Sequence, residues 1–192
     1  MLSKNRIEKL QSLQQYIQDK LNQKKEVHLI FICVQNSRRS HFAQVFAQVL
    51  AYQYQLKNVR CYSGGVEVTC IHPNTVKTLK SFGFLVQQTS FTKNPMYELV
   101  YDPHEKPIFL YSKSFEEIIK SIPEFAAVLV CSESETNCPY VQGAEKRILL
   151  PYDDPKRADH TENPLQEYKR VAEQIKEEMS WVFSKVYQSV GG

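Results

Sequence analysis

The sequence lacks an excess of charge of either sign. Its 192 residues include 24 Lys and Arg against 21 Asp and Glu, which gives a net charge of +3, and basic residues are interleaved with acidic ones. Nucleic acid is therefore not indicated as a partner, whereas a small anion is compatible with this charge. Internal repeats and low-complexity linkers are also lacking, and a chain of this length suits one compact α/β domain.

The N-terminal region lacks a long apolar run. Charged residues interrupt positions 1–20 every few residues, so we predict neither a signal peptide nor a membrane span there and expect a cytoplasmic protein with no membrane partner. Cysteine is also scarce, because five residues are too few, and odd in number, for a disulfide scaffold. In a reducing compartment these residues would be thiols, and any disulfide would be transient.

Apolar positions spaced by three or four residues predict a helix over residues 3–23. The stripe consists of Ile7, Leu10, Leu13, Ile17 and Leu21. We assign residues 1–25 to an N-terminal helical extension and residues 26–192 to the main domain. Packing of the stripe on that domain is the simpler interpretation, and a dimer contact is the alternative.

Strand and helix patterns alternate in the main domain. Strands are predicted at residues 27–33, 58–63, 125–131 and 146–150. Helices are predicted at residues 42–49, 73–82 and 165–186, and Gly64-Gly65 predicts a turn. This order predicts an α/β fold with a single-domain open parallel four-stranded sheet and helices on both faces. Residues 91–124 interrupt the alternation and predict a hairpin insertion.

The segment after the first predicted strand has the composition of an anion-binding loop. Cys33 ends the strand and a helix follows, so backbone N–H groups and the helix dipole would surround a tetrahedral oxyanion and stabilise a thiolate. Arg39 could offer two donors to the anion, and Ser40 could donate a hydrogen bond to the sulfur. The predicted anion-binding residues are Val34, Gln35, Asn36, Ser37, Arg38, Arg39 and Ser40. Outside this strand–loop–helix context, a buried cysteine and a surface arginine would explain the motif.

The order CVQNSRRS resembles the nucleophile loop of low-molecular-weight protein tyrosine phosphatases and of the arsenate reductases similar to them. The resemblance covers most of residues 27–187 and implies the fold of that family. Its members carry an Asp-Pro general acid late in the chain, and Asp154 before Pro155 matches that position. A simple turn is the alternative for this dipeptide, and Asp153 is interpreted as a solvent-facing neighbour. The loop departs from the family at Gln35, where a glycine is usual.

Two cysteines separated by six residues follow the third predicted strand. Cys131, Cys138 and the proline after it resemble the redox segment of thioredoxin-coupled arsenate reductases. Burial in the core is the alternative for Cys131, and the spacing without a matching histidine disfavours a zinc site. Cys61 and Cys70 are interpreted as structural.

The resemblance implies a reaction that needs no metal or organic cofactor. The Cys33 thiolate attacks arsenate held by Arg39, Asp154 protonates the departing oxygen, and Cys131 then attacks Cys33 to release arsenite. Cys138 next attacks Cys131, and thioredoxin, the implied partner, reduces the resulting disulfide. Some family members bind potassium near the loop asparagine. Asn36 alone does not indicate a potassium site in this chain.

The segment between the two cysteines predicts a conformational change. Ser132 and Glu135 have the spacing of a capping box, so a short helix is expected after Cys131. A helix would hold the Cα atoms of Cys131 and Cys138 about 10 Å apart, beyond the about 7 Å that a disulfide allows. We therefore predict that oxidation unwinds residues 132–138.

Arsenate reduction is the predicted function, and two alternatives remain open. A tyrosine phosphatase, acting on phosphotyrosine or another phosphomonoester, would use Cys33, Arg39 and Asp154 without a redox step. A non-enzymatic anion or redox sensor is the second alternative, against which the intact Asp154 argues. Lys156-Arg157 stands where eukaryotic tyrosine phosphatases carry an aromatic pair that holds a phenyl ring, which favours a small inorganic substrate.

Overall fold

The computed structural model describes residues 3–132 and 140–190. The helices are α1 (Lys4–Asn22), α2 (Arg39–Gln53), α3 (Pro73–Ser81), α4 (Phe115–Ile119) and α5 (Pro164–Val190), with one 3-10 turn at Pro155–Ala158. The strands are β1 (Val27–Cys33), β2 (Val59–Gly65), β3 (Leu85–Gln88), β4 (Tyr97–Val100), β5 (Ile108–Leu110), β6 (Ala126–Leu129) and β7 (Lys146–Leu149). Cys138 and the helix predicted from Ser132 and Glu135 lie outside the described residues.

The predicted parallel sheet is confirmed, with strand order β2-β1-β6-β7. The turn predicted at Gly64-Gly65 is wrong, because β2 continues through both glycines, which lie opposite Ile32 and Cys33 of β1. Pairing continues because β1 itself remains extended as far as Cys33. A Cβ atom on Gly64 would lie 2.7 Å from the Phe115 Cα atom, so this position accommodates only glycine without a shift of α4.

Helices cover both faces of the sheet, as the alternating pattern predicts. Side chains of β1 alternate between the faces: Leu29 and Phe31 point into the larger core and Ile30 and Ile32 into the smaller one. Helices α1, α2, α3 and α5 contribute to the larger core, and α4 closes the smaller core through Phe115. This arrangement leaves the carboxyl ends of the parallel strands at one edge, where a ligand site is expected.

Helix α1 packs against α5 within the same chain. Its predicted stripe is buried there, with Leu10, Leu13 and Ile17 fully inaccessible to solvent. Ser3 caps the helix by accepting a hydrogen bond from the Arg6 backbone N–H at 3.2 Å. Ile7 and Leu21, at the two ends of the stripe, are half-buried. The stripe thus packs on the domain, which favours the simpler interpretation over the dimer contact.

The predicted hairpin consists of β4 and β5, but it belongs to a larger antiparallel sheet of order β3-β4-β5. Strand β3 starts at Leu85, before the expected insertion. Only Val86 is buried in this four-residue strand, so its sequence carries too little apolar alternation to predict a strand. Partners on β4 and β5, rather than local propensity, determine its conformation.

Helix α5 is amphipathic over 27 residues. Its buried side includes Tyr168, Val171, Ile175 and Met179, all fully inaccessible. Across residues 3–132 and 140–190, no helix combines the length and the apolar character needed to cross a membrane.

Candidate active site

The loop between β1 and α2 lies at the carboxyl edge of the parallel sheet. Cys33 ends β1 and is 3% exposed, and α2 begins at Arg39, so the loop leads directly into a helix N-terminus that favours anions. The chain after β2 supports the loop, because the Glu67 N–H donates to the Val34 carbonyl at 2.8 Å. A Cβ atom on Gly65 would lie 2.7 Å from the Asn36 nitrogen, so the close approach of β2 to the loop requires glycine.

A short hydrogen-bond chain reaches the Cys33 sulfur. The Asn36 amide donates to Ser40 Oγ at 2.8 Å, and Ser40 Oγ lies 3.1 Å from Cys33 Sγ. Since Ser40 Oγ already accepts from Asn36, its own hydrogen is available to donate to the Cys33 sulfur. Asn36 has a φ of 45°, a left-handed conformation that asparagine tolerates well.

Contacts from distant segments hold the backbone of the loop. The Lys113 N–H donates to Asn36 Oδ1 at 3.0 Å, and Ser112 Oγ donates to the Gln35 carbonyl at 2.9 Å. Both residues follow β5, so the antiparallel insertion supports the loop directly. Burial together with the charge of Lys113 lowers the pKa of His41 to about 3, while burial lowers the pKa of Lys113 to about 8.

His41 completes this support from inside α2. Its Nε2 lies 2.8 Å from the Asn36 carbonyl oxygen, which can only accept, so this nitrogen carries the proton of the neutral ring. Its Nδ1 lies 3.3 Å from Ser63 Oγ, which donates to it. The neutral ring therefore links the loop to β2.

Arg39 and Asp154 meet beside the loop. Arg39 Nη2 donates to Asp154 Oδ2 at 2.6 Å, and Arg39 Nη1 donates to the Tyr152 carbonyl at 3.2 Å. The other carboxylate oxygen of Asp154 accepts from the Lys156 N–H at 3.0 Å and caps the 3-10 turn. Asp153 is exposed and pairs with Arg157 and Arg170, so its carboxylate belongs to the surface.

The Arg38 side chain turns away from the predicted anion cradle. Its Nε donates to the Tyr168 hydroxyl at 2.6 Å and its Nη2 to Asp159 Oδ2 at 2.7 Å. The Tyr168 hydroxyl donates in turn to Asp159 Oδ1, so the network is closed. Arg38 therefore contributes only its backbone to the loop, and its guanidinium ties the loop to α5.

Cys131 lies close to Cys33 in the sheet. It follows β6, which neighbours β1, and its sulfur is 3.9 Å from the carbonyl oxygen of Ile32, the residue before Cys33. Both cysteines are buried thiols in this structure. Cys61 is also buried, which raises the pKa of its thiol. In the described part of the chain, three or more His, Cys, Asp or Glu side chains do not gather in a way that would hold a metal ion.

Several contacts of this site are not predicted by the sequence. They come from His41, Ser112, Lys113, Tyr168 and Asp159. His41 directly follows the loop and could have been suspected for that reason. The other four carry no local motif, and only the folded chain brings them to the loop.

Comparisons with known proteins identify the family of this chain. The sequence model of the low molecular weight phosphotyrosine protein phosphatase family matches residues 28–190, and the chain belongs to this family. It is 25% identical over 149 residues to a protein named arsenate reductase 2 from Staphylococcus epidermidis, covering 77% of this chain and 89% of that protein. An arsenate reductase from Staphylococcus aureus is 27% identical over 149 residues, with the same two coverages.

Comparison with solved structures gives the same fold as the family match. A low molecular weight phosphotyrosine phosphatase from Vibrio cholerae superposes with a TM-score of 0.52 at 15% identity, covering 86% of this chain and 99% of that one. The predicted low-molecular-weight phosphatase fold is thus confirmed. Helix α1 lies before the matched residues and is additional to the family's sequence model.

Proposed function

We propose that this protein is a thioredoxin-coupled arsenate reductase acting in the cytoplasm. The observation that supports this most directly is the position of Cys131, a second thiol just after the strand that neighbours β1, at the same edge of the sheet as Cys33. The phosphatase reaction has no use for a thiol at this position. The relatives named arsenate reductase in Staphylococcus support the same choice.

In the proposed reaction the loop binds arsenate and the Cys33 thiolate attacks arsenic. Asp154 gives its proton to the departing oxygen, which leaves as water, and Arg39 stabilises the charge on the remaining oxygens. The thiolate of Cys131 then attacks the Cys33 sulfur. The electron pair of the breaking sulfur–arsenic bond stays on arsenic, so arsenic(V) becomes arsenic(III) and arsenite leaves.

Regeneration of the enzyme needs a third thiol and a reductant. Cys138 attacks Cys131 in the Cys33–Cys131 disulfide, and Cys33 leaves as a thiolate. Thioredoxin then reduces the Cys131–Cys138 disulfide and becomes oxidised itself. Cys138 enters this scheme through its sequence motif, because it lies outside the described residues.

The test is an arsenate turnover assay with thioredoxin, thioredoxin reductase and NADPH. We expect sustained NADPH oxidation by the wild-type protein. Cys138→Ser should stop at a Cys33–Cys131 disulfide that peptide mapping detects, whereas the matched control Cys70→Ser should turn over normally. Normal thioredoxin-coupled turnover by Cys138→Ser would overturn the proposed shuttle.

A phosphomonoester phosphatase is the second candidate. Two observations favour it. Cys33, Arg39 and Asp154 suffice for hydrolysis through a cysteinyl-phosphate intermediate. The chain also belongs to a family of phosphotyrosine phosphatases. If this candidate is correct, Cys131→Ser keeps full activity on an aryl phosphate, and wild-type protein oxidises no NADPH in the arsenate assay.

A further inference from the structure

The N-terminal helix reaches the loop that carries Asp154. Arg6 is on the first two turns of α1, and its Nη1 donates to the Pro151 carbonyl at 2.9 Å. Its guanidinium also lies over the Tyr152 ring, 4.5 Å from the ring centroid. Pro151 and Tyr152 precede Asp154 by three and two residues. One arginine of α1 thus contacts two consecutive residues of the acid loop, by which we mean residues 151–154.

A buried carboxylate holds Arg6 in this position. Arg6 Nε and Nη2 donate to the two carboxylate oxygens of Glu178 on α5, at 2.8 and 2.6 Å. The Glu178 side chain is 2% exposed and that of Arg6 is 14% exposed. The bidentate pair fixes the plane of the guanidinium, and that orientation leaves Nη1 directed at Pro151.

The acid loop transmits this contact to the predicted active site. The Tyr152 carbonyl accepts from Arg39 Nη1 at 3.2 Å, and Asp154 accepts from Arg39 Nη2 at 2.6 Å. A displacement of Pro151 and Tyr152 would therefore change the position of both Asp154 and the arginine that binds the anion.

We infer that Arg6 is a positioning residue for the general acid. This inference rests on the proposed function in one respect, the role of Asp154 as proton donor. Arg6 touches neither the anion nor the leaving group. It holds the backbone of the acid loop so that the Asp154 carboxyl stays within reach of the departing oxygen. Helix α1, which the family's sequence model does not include, then belongs to the working active site.

The variant must remove the contact without leaving a buried charge. Arg6→Ala would strand the Glu178 carboxylate in the core, and loss of folding would then hide any catalytic effect. The double variant Arg6→Met with Glu178→Met replaces the pair by apolar side chains of similar length and deletes the hydrogen bond to Pro151. The matched control is Lys20→Met, which removes the ion pairs of α1 with Glu124 and Glu145 at the other end of the helix.

Two readouts separate positioning from general stability. The first is hydrogen exchange of the Lys156 and Arg157 amides, which donate to Asp154 Oδ1 and to the Asp154 carbonyl; we expect it to accelerate by about tenfold in the double variant and to stay unchanged in Lys20→Met. The second is kcat/KM for phenyl phosphate against p-nitrophenyl phosphate. The poorer leaving group needs the general acid more, so the double variant should lose about tenfold on phenyl phosphate and less on the activated ester.

A mutant cycle, in which Asp154→Asn is combined with the Arg6 and Glu178 substitutions, completes the test. In that background the double substitution should lower kcat/KM for phenyl phosphate and for p-nitrophenyl phosphate by the same factor, because the proton donor is already absent and any remaining loss passes through Arg39. Unchanged exchange, an equal loss in Lys20→Met, or a loss in the Asp154→Asn background that is still larger on phenyl phosphate would each overturn the inference. If wild-type protein turns over neither arsenate nor aryl phosphates, the proposed function fails. Exchange of the Lys156 and Arg157 amides, which donate to Asp154, then decides by itself whether Arg6 positions the acid loop.

Discussion

At the scale of single residues, the Asp154 carboxylate links the 3-10 turn to Arg39. It accepts from the backbone of the 3-10 turn through one oxygen and from Arg39 through the other. An incoming oxyanion therefore competes with Asp154 for the guanidinium of Arg39. The sequence alone predicts that neutralising Asp154 leaves anion binding almost unchanged. Because Asp154 pairs with Arg39, we expect anion binding to become tighter instead.

Asp154→Asn should lower kcat on an aryl phosphate about a hundredfold or more, because the amide has no proton to give to the leaving oxygen. The same substitution should tighten phosphate binding, since a negative charge that opposes the anion is removed. Steady-state kinetics and titration calorimetry measure the two effects. Asp153→Asn is the matched control, because Asp153 pairs with Arg157 and Arg170 at the surface. Loss of turnover in that control instead would reassign the acid.

His41 makes stability depend on pH. Its pKa is about 3 in the folded protein, against an ordinary value of 6.5, because burial disfavours the charged ring. Between these values the unfolded chain binds a proton that the folded protein does not bind. The free energy of unfolding therefore falls as pH drops below about 6.5, by up to about 1.4 kcal/mol per pH unit for one proton.

His41→Gln should reduce this pH dependence, because glutamine keeps a donor for the Asn36 carbonyl and does not titrate. Urea unfolding at pH 7.0, 6.0 and 5.0 measures it, with His104→Gln in an exposed turn as the control. His72, whose pKa burial also lowers, contributes the same background to every variant. An unchanged slope in His41→Gln would show that His41 does not carry the effect.

At the scale of elements, the end of β2 limits the shape of the anion loop. A Cβ atom on Gly65 would lie 2.7 Å from the Asn36 nitrogen and 2.9 Å from the Val34 carbonyl oxygen. Both are backbone atoms, so relief requires the loop itself to move. Gly65→Ala should weaken phosphate binding about tenfold, which calorimetry measures.

Gly83→Ala is the control for this prediction. Gly83 lies beyond the C-terminal end of α3, has a φ of 90°, and has open space where an added methyl group would lie. Alanine there costs about 1–2 kcal/mol of stability through backbone strain alone. A stability loss with unchanged phosphate affinity is expected. Equal losses of affinity in both variants would mean that general destabilisation, and not contact with the loop, weakens binding.

At the scale of the whole molecule, α1 is part of the core and not an appendage. Leu10, Leu13 and Ile17 are fully buried, and each such side chain contributes about 1.5–3 kcal/mol when removed from water. The buried pair Arg6–Glu178 and the half-buried pair Lys20–Glu145 add polar anchors at its two ends.

Deletion of residues 1–25 should therefore leave a chain that does not fold to a stable state, although the family's sequence model begins only at residue 28. Soluble yield and a cooperative thermal transition are the measurements. Leu13→Ala in the full chain should fold with a Tm lowered by several degrees, because it opens one cavity and keeps the helix. A truncated chain that unfolds cooperatively near the wild-type Tm would make α1 a dispensable extension.

The sequence by itself determined the parts that depend on neighbouring residues. Each of these parts is a run of consecutive residues, so spacing and residue type identify it. They are the apolar run that ends at Cys33, the loop from there to Ser40, and the Asp-Pro pair at Asp154. The parallel sheet follows from the alternation of strands and helices, whereas β3 and the Gly64-Gly65 end of β2 differ from the prediction. Their conformation depends on the strands beside them.

Tertiary structure alone decided which side chains support the site. Arg6 lies 145 positions from Pro151, Ser112 lies 77 from Gln35, and Arg38 lies 130 from Tyr168. No local pattern predicts such pairs, because an arginine or serine suits an exposed position equally well. The hydrophobic packing of α1, α5 and the antiparallel sheet brings these polar groups together, and burial then requires each of them to find a partner.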